Sequence, residues 1–326
     1  MKSSLRSAVL VCAIAGAASA VCHAAEAQYP TRPVRIVTPY APGGTTDILS
    51  RLIAQHLTQS LGQQVIVDNR GGGAAQIGTD IVAKAAPNGH TLLVTPSGSH
   101  TSNPSLYRKL PYDTVNDFAP ITLIAWVTNL IVTHPTSPIT TLQDLIKLAK
   151  AKPGALTYAS SGNGTVAHLS AELLKSIAGI DLVHVPYKGG GPALAAIAAN
   201  ETTVMFAALP SATGFLQGKR IKALAVTSPK RVAALPDVPT ASEAGVPGVG
   251  VMEWYGALAP AGTPRAVIDK LNAEIVKILQ KPEVRTRFSD LGADPVGNSA
   301  QEFDKQIRSD IAMWAKVVEF SGARAN

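Results

Sequence analysis

Residues 34–52 read VRIVTPYAPGGTTDILSRL, and the fold depends on the pattern in this stretch. An apolar run over 34–39 predicts a β-strand, a turn with two glycines follows, and residues 46–61 then carry apolar side chains at helical spacing. Strand, glycine turn and helix in this order are typical of a parallel sheet covered by helices. In such sheets the turns lie at the carboxyl ends of the strands, where ligands bind.

The same order of elements continues along the chain. Strands are predicted over 65–67 and 91–96, with a helix over 75–86 between them. The apolar stretch 121–133 is longer than an ordinary strand, and we interpret it as a crossing between two units, with a second crossing near 224–230. The predicted fold is therefore α/β, with two doubly wound domains joined by two crossing strands and a ligand cleft between them.

The crossings define the predicted domains. Residues 28–125 and 228–326 form the first domain, and residues 126–227 form the second. Residues 1–27 are predicted to be a signal peptide, because a basic start precedes a small-residued apolar stretch too short for a comfortable membrane span. A periplasmic location follows. Lipid anchoring at Cys22 is not expected, because the residue before it suits that processing poorly.

The composition excludes several classes of protein. Of 326 residues, 46% are hydrophobic and 16% are charged, which favours a sizeable core over disorder. The net charge is +7, but there are no runs of Lys and Arg and aromatic residues make up only 5%, so no nucleic-acid partner is predicted. Both cysteines lie in the predicted leader and the histidines are scattered, so no metal site and no cofactor is predicted.

Three turns rich in glycine precede predicted helices: TPYAPGGTTDILSRL, TYASSGNGTVAHLSAELL and HVPYKGGGPALAAIAA. The start of a helix has unpaired N–H groups and a partial positive charge, and glycine lets an anion approach closely. Neither phosphate-loop pattern, GxxxxGK[ST] or GxGxxG, is present, so we expect a carboxylate. The alternative is that these glycines are ordinary turn residues and the neighbouring threonines ordinary helix caps.

No catalytic residue is predicted. The nucleophile pattern GxSxG is missing from the sequence. Ser97, Ser99 and His100 are close in sequence, but adjacency is not the geometry of a catalytic triad. The protein is therefore predicted not to be an enzyme.

The sequence resembles the extracytoplasmic solute receptors of the tripartite tricarboxylate transporters, also called Bug receptors. The resemblance covers nearly the whole mature chain and rests on motifs such as YPTRPVRIVTPYAPGGTTD, YASSGNGTVAHLSAELL, VPYKGGGPAL and WYGALAPAGTP. It implies a two-lobed, type II-like periplasmic-binding-protein fold. It also implies a carboxylated solute that is held largely by backbone amides and ordered waters and is delivered to a membrane permease.

The resemblance also implies a set of binding residues. In the family, the APGG-type turn and the SGxGT-type turn grip the carboxylate from opposite lobes. Around the first turn the matching residues are Tyr40, Pro42, Gly43, Gly44, Thr45, Thr46 and Asp47. Around the second turn and the neighbouring motif they are Ser161, Gly162, Gly164, Thr165, His168, Tyr187 and Lys188.

Two departures from the family pattern bear on the ligand. Ala207, which we include in the predicted site, stands where many relatives carry an acid, and Trp126 stands where smaller residues are common. A buried acid is a natural partner for a ligand ammonium. We therefore expect a carboxylate without an amino group, and an aromatic one if Trp126 reaches the cleft.

The leading prediction is a monomeric receptor for a mono- or dicarboxylate, aromatic acids included. One alternative is an exported hydrolase of the same fold, which would need a nucleophile–base pair. Another is a sensor-type binding protein whose partner is a signalling protein. The effector domain of a transcription regulator shares the two-lobed plan, but the predicted export signal and the lack of DNA-binding helices in the sequence argue against it.

Overall fold

The computed structural model describes residues 29–321, so the predicted signal peptide lies outside the described residues. The strands are β1 Val34–Thr38, β2 Val65–Asn69, β3 Thr91–Pro96, β4 Phe118–Thr133, β5 Thr157–Ser160, β6 Val183–Pro186, β7 Val204–Ala208, β8 Lys222–Val226, β9 Met252–Pro260 and β10 Ala293–Pro295. The helices are α1 Thr45–Leu61, α2 Gln76–Ala83, α3 Ser97–Leu106, α4 Leu142–Ala151, α5 Val166–Ala178, α6 Gly190–Ala198, α7 Leu209–Gln217, α8 Arg265–Gln280, α9 Pro282–Asp290 and α10 Ala300–Ser321.

The strands form one curled sheet that is shared by two lobes. The order is β2-β1-β3-β9-β4-β7-β5-β6, and β8 and β10 also pair with β4. Residues 118–128 of β4 pair with β9, whereas residues 129–133 pair with β7 and β8. The long apolar strand therefore belongs to both lobes and confirms the first predicted crossing.

Helices cover both faces of the sheet in each lobe, because successive strand residues point to opposite sides. In the first lobe, Ile36 packs into a core with α1 and α8, whereas Val37 packs into a second core with α2 and α10. In the second lobe, Phe206 packs towards α4 and α5, whereas Met205 packs towards α6 and α7. This confirms the predicted α/β fold with two doubly wound lobes.

The segment after β8 bears on the predicted boundary at residue 228. Thr227 lies at the crossing, where its N–H donates to the Asn129 carbonyl at 2.9 Å and its hydroxyl donates to the Val251 carbonyl at 2.9 Å. Several apolar side chains between these two points pack on the cores of the second lobe: Val232, Leu235, Val238, Ala241, Val246 and Val249. We therefore propose that the second lobe continues to about residue 250.

The helix ends show which local patterns were interpreted correctly. Thr141 and Asp144 have the spacing of a capping box, and the structure confirms it, with the Asp144 N–H donating to the Thr141 hydroxyl at 3.0 Å. The pair Thr263-Pro264 predicts an N-cap at Thr263, which is wrong by one residue: Pro264 is the N-cap of α8, and the Thr263 hydroxyl donates to the Pro260 carbonyl at 2.7 Å. Helix α3 was not predicted at all, because its sequence SGSHTSNPSL lacks an apolar stripe.

We expect Gly256→Ala to destabilise the first lobe. A Cβ added to Gly256 on β9 would overlap the ring of Phe303, which is fully buried on α10. Overpacking of this kind costs about 1–3 kcal/mol in the free energy of unfolding, which urea denaturation measures. Gly214→Ala is the matched control, since a Cβ on that residue of α7 meets nothing within 4 Å. Equal stability of the two variants would contradict the packing described here.

Candidate functional site

A cleft with an empty volume of about 430 Å³ lies between the lobes. The first lobe contributes Tyr40, Gly44, Thr45, Thr46, Pro96, Glu253 and Tyr255 to its wall. The second lobe contributes Ser161, Ala167, Gly190, Met205, Phe206, Ala208 and Ser211, and Asn129 lies where β4 passes from one lobe to the other.

Five helices present their N-terminal ends to this cleft. Its wall includes the N-cap residues Gly44 of α1, Pro96 of α3 and Ala208 of α7, the second residue of α5 and the first residue of α6. Each helix start carries unpaired N–H groups and a partial positive charge. Within the described residues no Lys, Arg or His side chain lines the cleft, so the positive potential in its wall comes from the helix N-termini.

The first glycine turn is preformed and leaves the start of α1 uncapped. The Asp47 carboxylate accepts from the Gly43 N–H at 3.0 Å and pairs with Arg51 at 2.9 Å. Gly43 has φ +81°, which favours glycine, and no side chain caps α1 at Gly44. Asp47 therefore holds the turn, while the first N–H groups of α1 remain available at the cleft wall.

The second glycine turn is held by its own side chains. The Thr165 hydroxyl donates to the Gly162 carbonyl at 2.7 Å and caps α5, and the Gly164 N–H donates to His168 Nδ1 at 3.1 Å. Because His168 Nδ1 accepts a hydrogen bond, it carries no proton, and burial also lowers the pKa of His168. These groups shape the turn, whereas Ser161 lines the cleft.

The third glycine turn, at residues 188–191, packs against the first glycine turn across the cleft. The Ala41 N–H donates to the Lys188 carbonyl at 3.1 Å. A Cβ on Gly191 would lie 2.8 Å from the Pro42 carbonyl oxygen, and a Cβ on Gly44 would lie 3.6 Å from the Gly190 nitrogen. The two backbones can approach this closely only because both turns lack side chains here.

A second set of contacts joins the two lobes beside α3. The Ser102 hydroxyl donates to the Gly164 carbonyl at 2.7 Å, and a Cβ on Gly98 would lie 2.7 Å from the Val166 nitrogen. Ser102 is fully buried. The structure is thus a closed form, in which the cleft is sealed by contacts between backbone and small side chains.

One acid lines the cleft among the described residues. Glu253, on β9, is 6% exposed and accepts from the Tyr255 hydroxyl at 2.9 Å. Burial raises the pKa of Glu253 to about 7, against the opposing effect of hydrogen bonds from Tyr255 and the Gly98 backbone. Burial also raises the pKa values of Tyr40 and Tyr255, so both are neutral phenols at physiological pH.

The structure brings only part of the predicted site to the cleft wall. Of the predicted residues, those that line the cleft are Tyr40, Gly44, Thr45, Thr46 and Ser161. Those that are not in the wall are Pro42, Gly43, Asp47, Gly162, Gly164, Thr165, His168, Tyr187, Lys188 and Ala207. Most of the second group build the turns behind the wall, so their contact with a ligand stays a prediction.

The two residues behind the expected ligand preference lie elsewhere. Ala207 is fully buried, pairs with Leu130 on β4 and packs in the core beside α6 and α7. Trp126 lines a separate apolar groove with Met313 and Trp314 of α10. Neither residue lies in the cleft wall, so neither supports a preference for ligands without an amino group or for aromatic ligands.

Some residues of the cleft wall were not predicted, although the sequence contains an indication of them. Asn129 is a polar residue inside an apolar stretch, and Glu253 is an acid immediately before the apolar run that starts at Trp254. Ser211 follows the apolar run of β7, at the start of α7. In each case a polar side chain interrupts or directly adjoins an apolar run, and that was the available indication.

A nucleophile–base pair, which the sequence analysis did not find, is present on the neighbouring strands β5 and β6. The oxygen atom Oγ of Ser160 lies 2.6 Å from His184 Nε2. However, Ser160 is fully buried, its Oγ atom also accepts from the Gly162 N–H at 3.1 Å, and it does not line the cleft. His184 stacks between Tyr158 and His168 at centroid distances of 4.6 and 4.3 Å. The Ser160–His184 pair therefore stabilises the second glycine turn through the hydrogen bond between Ser160 and Gly162.

Residues 29–321 contain neither a metal-ligand cluster nor a membrane-spanning helix. No cluster of three or more His, Cys, Asp or Glu side chains with the geometry to hold a metal ion occurs there. In the same range, no helix combines the length and apolar character needed to cross a membrane.

Sequence comparisons identify relatives over most of the chain. The model of the family described as the tripartite tricarboxylate transporter family receptor matches residues 49–322. A UPF0065 protein from the tcbD-tcbE intergenic region of Pseudomonas sp. (strain P51) is 38% identical over 291 residues, covering 89% of this chain and 86% of that protein. Protein BugT of Bordetella pertussis is 35% identical over 297 residues, covering 91% of each chain.

Solved structures share the fold. Rpa4515 of R. palustris with adipate has a TM-score of 0.88 and 37% identity, over 90% of this chain and 98% of that one. MatC of Rhodopseudomonas palustris with bound malate has a TM-score of 0.85 and 34% identity, over 89% of this chain and 100% of that one. Both are proteins of known structure that carry a dicarboxylate.

We expect Gly191→Ala to hinder closure of the lobes without disturbing either lobe. Gly191 lies in the first turn of α6, outside the left-handed region of φ, so alanine is compatible with the helix. Its Cβ would press on the Pro42 carbonyl only when the lobes are closed. Ligand affinity should fall about tenfold or more, which corresponds to about 1.4 kcal/mol against the closed state.

Calorimetric titration and small-angle X-ray scattering test this expectation, with Gly214→Ala again as the control. The melting temperature of ligand-free protein should not change. Gly164→Val is a less informative variant, because Gly164 has φ +74° and valine would strain the turn itself. Unchanged affinity and full compaction of Gly191→Ala with ligand would show that the contact between Gly191 and Pro42 does not limit closure.

Proposed function

The chain belongs to the tripartite tricarboxylate transporter family of receptors, and from this premise we propose that it is a periplasmic solute receptor. It captures a small organic carboxylate between its lobes and delivers it to a membrane permease. The observation that carries the proposal is the convergence of five helix N-termini on an interlobe cleft without a basic side chain. The relatives bound to adipate and malate support a carboxylate as the ligand.

Backbone donors alone are sufficient for useful affinity. A hydrogen bond to a charged group contributes about 1.5–3 kcal/mol, so four of them contribute about 6–12 kcal/mol before the costs of binding. Micromolar affinity requires about 8 kcal/mol. The N–H groups at Gly44, Thr45 and Thr46 on one side and at Gly190 on the other are placed to supply these bonds when the lobes close.

The residues that line the cleft change the set that we propose to contact the carboxylate, compared with the set expected from the sequence. Those in direct contact are Tyr40, Gly44, Thr45, Thr46 and Ser161, with Gly190 and Ser211 from the second lobe. Pro42, Gly43, Asp47, Gly162, Gly164, Thr165 and His168 act by holding the two turns in place. Tyr187 and Lys188 contribute the backbone of the closing turn.

Capture without chemical conversion is part of the proposal. The Ser160–His184 pair is buried behind the second turn, and among the described residues Glu253 accepts from Tyr255 and the Gly98 backbone rather than from a serine or threonine of the cleft wall. These observations favour a receptor over the alternative of an exported hydrolase. The sensor alternative uses the same cleft and differs only in the partner protein.

Export, delivery to a permease and the monomeric state complete the proposal. The predicted signal peptide, residues 1–27, would direct the protein to the periplasm, and the mature chain would act as a single copy. A transport assay in cells that lack the receptor distinguishes delivery to a permease from sensing, because only delivery restores uptake.

We expect purified protein to bind members of a carboxylate panel and to return them unchanged. Titration calorimetry with succinate, glutarate, malate and benzoate measures binding, and mass spectrometry of molecules released by denaturation identifies a ligand carried through purification. The carboxamide of each acid is the control, since it lacks the charge that the helix N-termini stabilise. Chemical conversion of a bound acid, or equal affinity for acid and amide, would contradict the proposal.

A further inference from the structure

Glu253 is a carboxyl group in a cleft that is built to attract carboxylates. It is nine-tenths buried, and its side chain lies between the Tyr255 hydroxyl and the Gly98 backbone at the start of α3. An ionised carboxylate without a cationic partner is costly to bury, so such a group is stabilised in its neutral form. A neutral carboxyl can donate a hydrogen bond, which an ionised one cannot.

Among the described residues no cation faces Glu253 from the elements packed around it, because burial lowers the pKa of His100 on α3 to about 4 and keeps its imidazole neutral. The titratable side chains that share the cleft wall are the phenols of Tyr40 and Tyr255, both neutral at physiological pH. Asp47, one turn into α1, is already paired with Arg51. The positive ends of the five helices favour an anion in this space and disfavour a ligand ammonium.

Unpaired polar atoms in the same wall indicate a second polar group on the ligand. The Nδ2 atom of Asn129, a residue 1% exposed, has no hydrogen-bond partner among the described residues. The hydroxyls of Tyr40 and Thr45 lie near Ser99 and Tyr255, respectively, so the Asn129 amide is the clearest of the unpaired donors. Buried donors of this kind are normally paired, so we expect the ligand to supply the acceptors.

We propose that Glu253 determines specificity by binding in its neutral form and donating a hydrogen bond to an oxygen of a second carboxylate on the ligand. The inference rests on the proposed function and names the ligand class as dicarboxylates. The first carboxylate meets the helix N-termini, and the second meets Glu253, Asn129 and the phenols. The proton on Glu253 comes from solvent, so capture takes up one proton when the free acid is ionised.

The sign of the pH dependence follows from the pKa of Glu253, which is about 7 in the free protein. The neutral form predominates below that pH and the ionised form above it. A bound dicarboxylate stabilises the neutral form and raises the pKa further. Affinity is therefore constant below about pH 7 and should fall roughly 10- to 30-fold between pH 6.5 and pH 8.5.

Calorimetry with three acids of matched length tests the proposal: glutarate, 5-aminopentanoate and pentanoate. Titrations at pH 8 in two buffers with different ionisation enthalpies count the protons exchanged. We expect uptake of close to one proton with glutarate, no such uptake with pentanoate, and weaker binding of 5-aminopentanoate than of glutarate. The proton count uses unaltered protein, so it does not depend on the folding of a variant.

The variant Glu253→Gln provides a second test of the proposal, because its amide is a permanently neutral donor of nearly the same shape. It should retain glutarate affinity at pH 6.5 within a few-fold and lose the decline towards pH 8.5. Glu283→Gln, on the exposed surface of α9, is the matched control and should behave as the unaltered protein.

The outcomes separate this inference from the proposed function. Glutarate binding without proton uptake, or a preference for 5-aminopentanoate that Glu253→Gln abolishes, would overturn the role of Glu253 and leave the receptor function intact. Failure of every carboxylate to bind would overturn the proposed function and this inference together.

Discussion

A backbone hydrogen bond across the cleft, from the Ala41 N–H to the Lys188 carbonyl, sets the constraint on which the rest of the site depends. It requires two chain segments from different lobes to meet without side chains between them. The glycines on both sides meet this requirement, since Gly44 lies against Gly190 and Gly191 lies against the Pro42 carbonyl. The same glycines whose N–H groups we propose as donors to the ligand therefore also allow the lobes to close over it.

Closure of the lobes strengthens the electrostatic interaction between the helix N-termini and a ligand in the cleft. Helix N-termini from both lobes line the closed cleft, and hydrogen bonds to a charged ligand are stronger in such a low-dielectric space than in water. Among the described residues no Lys or Arg side chain lines the cleft, and its one acid, Glu253, is stabilised in the neutral form by burial. Anion binding is thus attributed to the helix N-termini, whereas the neutral state of Glu253 follows from its own burial, which outweighs the positive potential of the helix ends.

The sequence predicted the scaffold better than the site. Helix α1 was predicted within one residue, because its apolar periodicity ends at Gly62, and β4 was identified as a crossing by its length. Glu253 was missed because the apolar run of β9 starts at Trp254, two residues after the strand itself begins, and α3 was missed because its buried residues are polar and form no apolar stripe. Local patterns encode the elements, whereas contacts between lobes depend on tertiary packing that no local pattern carries.

In the proposed complex, backbone N–H groups of opposed helix starts hold the ligand carboxylate. Nuclear magnetic resonance of ¹⁵N-labelled protein titrated with glutarate tests these contacts, because an amide proton that donates to a carboxylate moves downfield. We expect downfield shifts at Gly44, Thr45 and Thr46 in one lobe and at Gly190 in the other, all saturating together. Saturable binding with these four amides unmoved would contradict the proposed contacts.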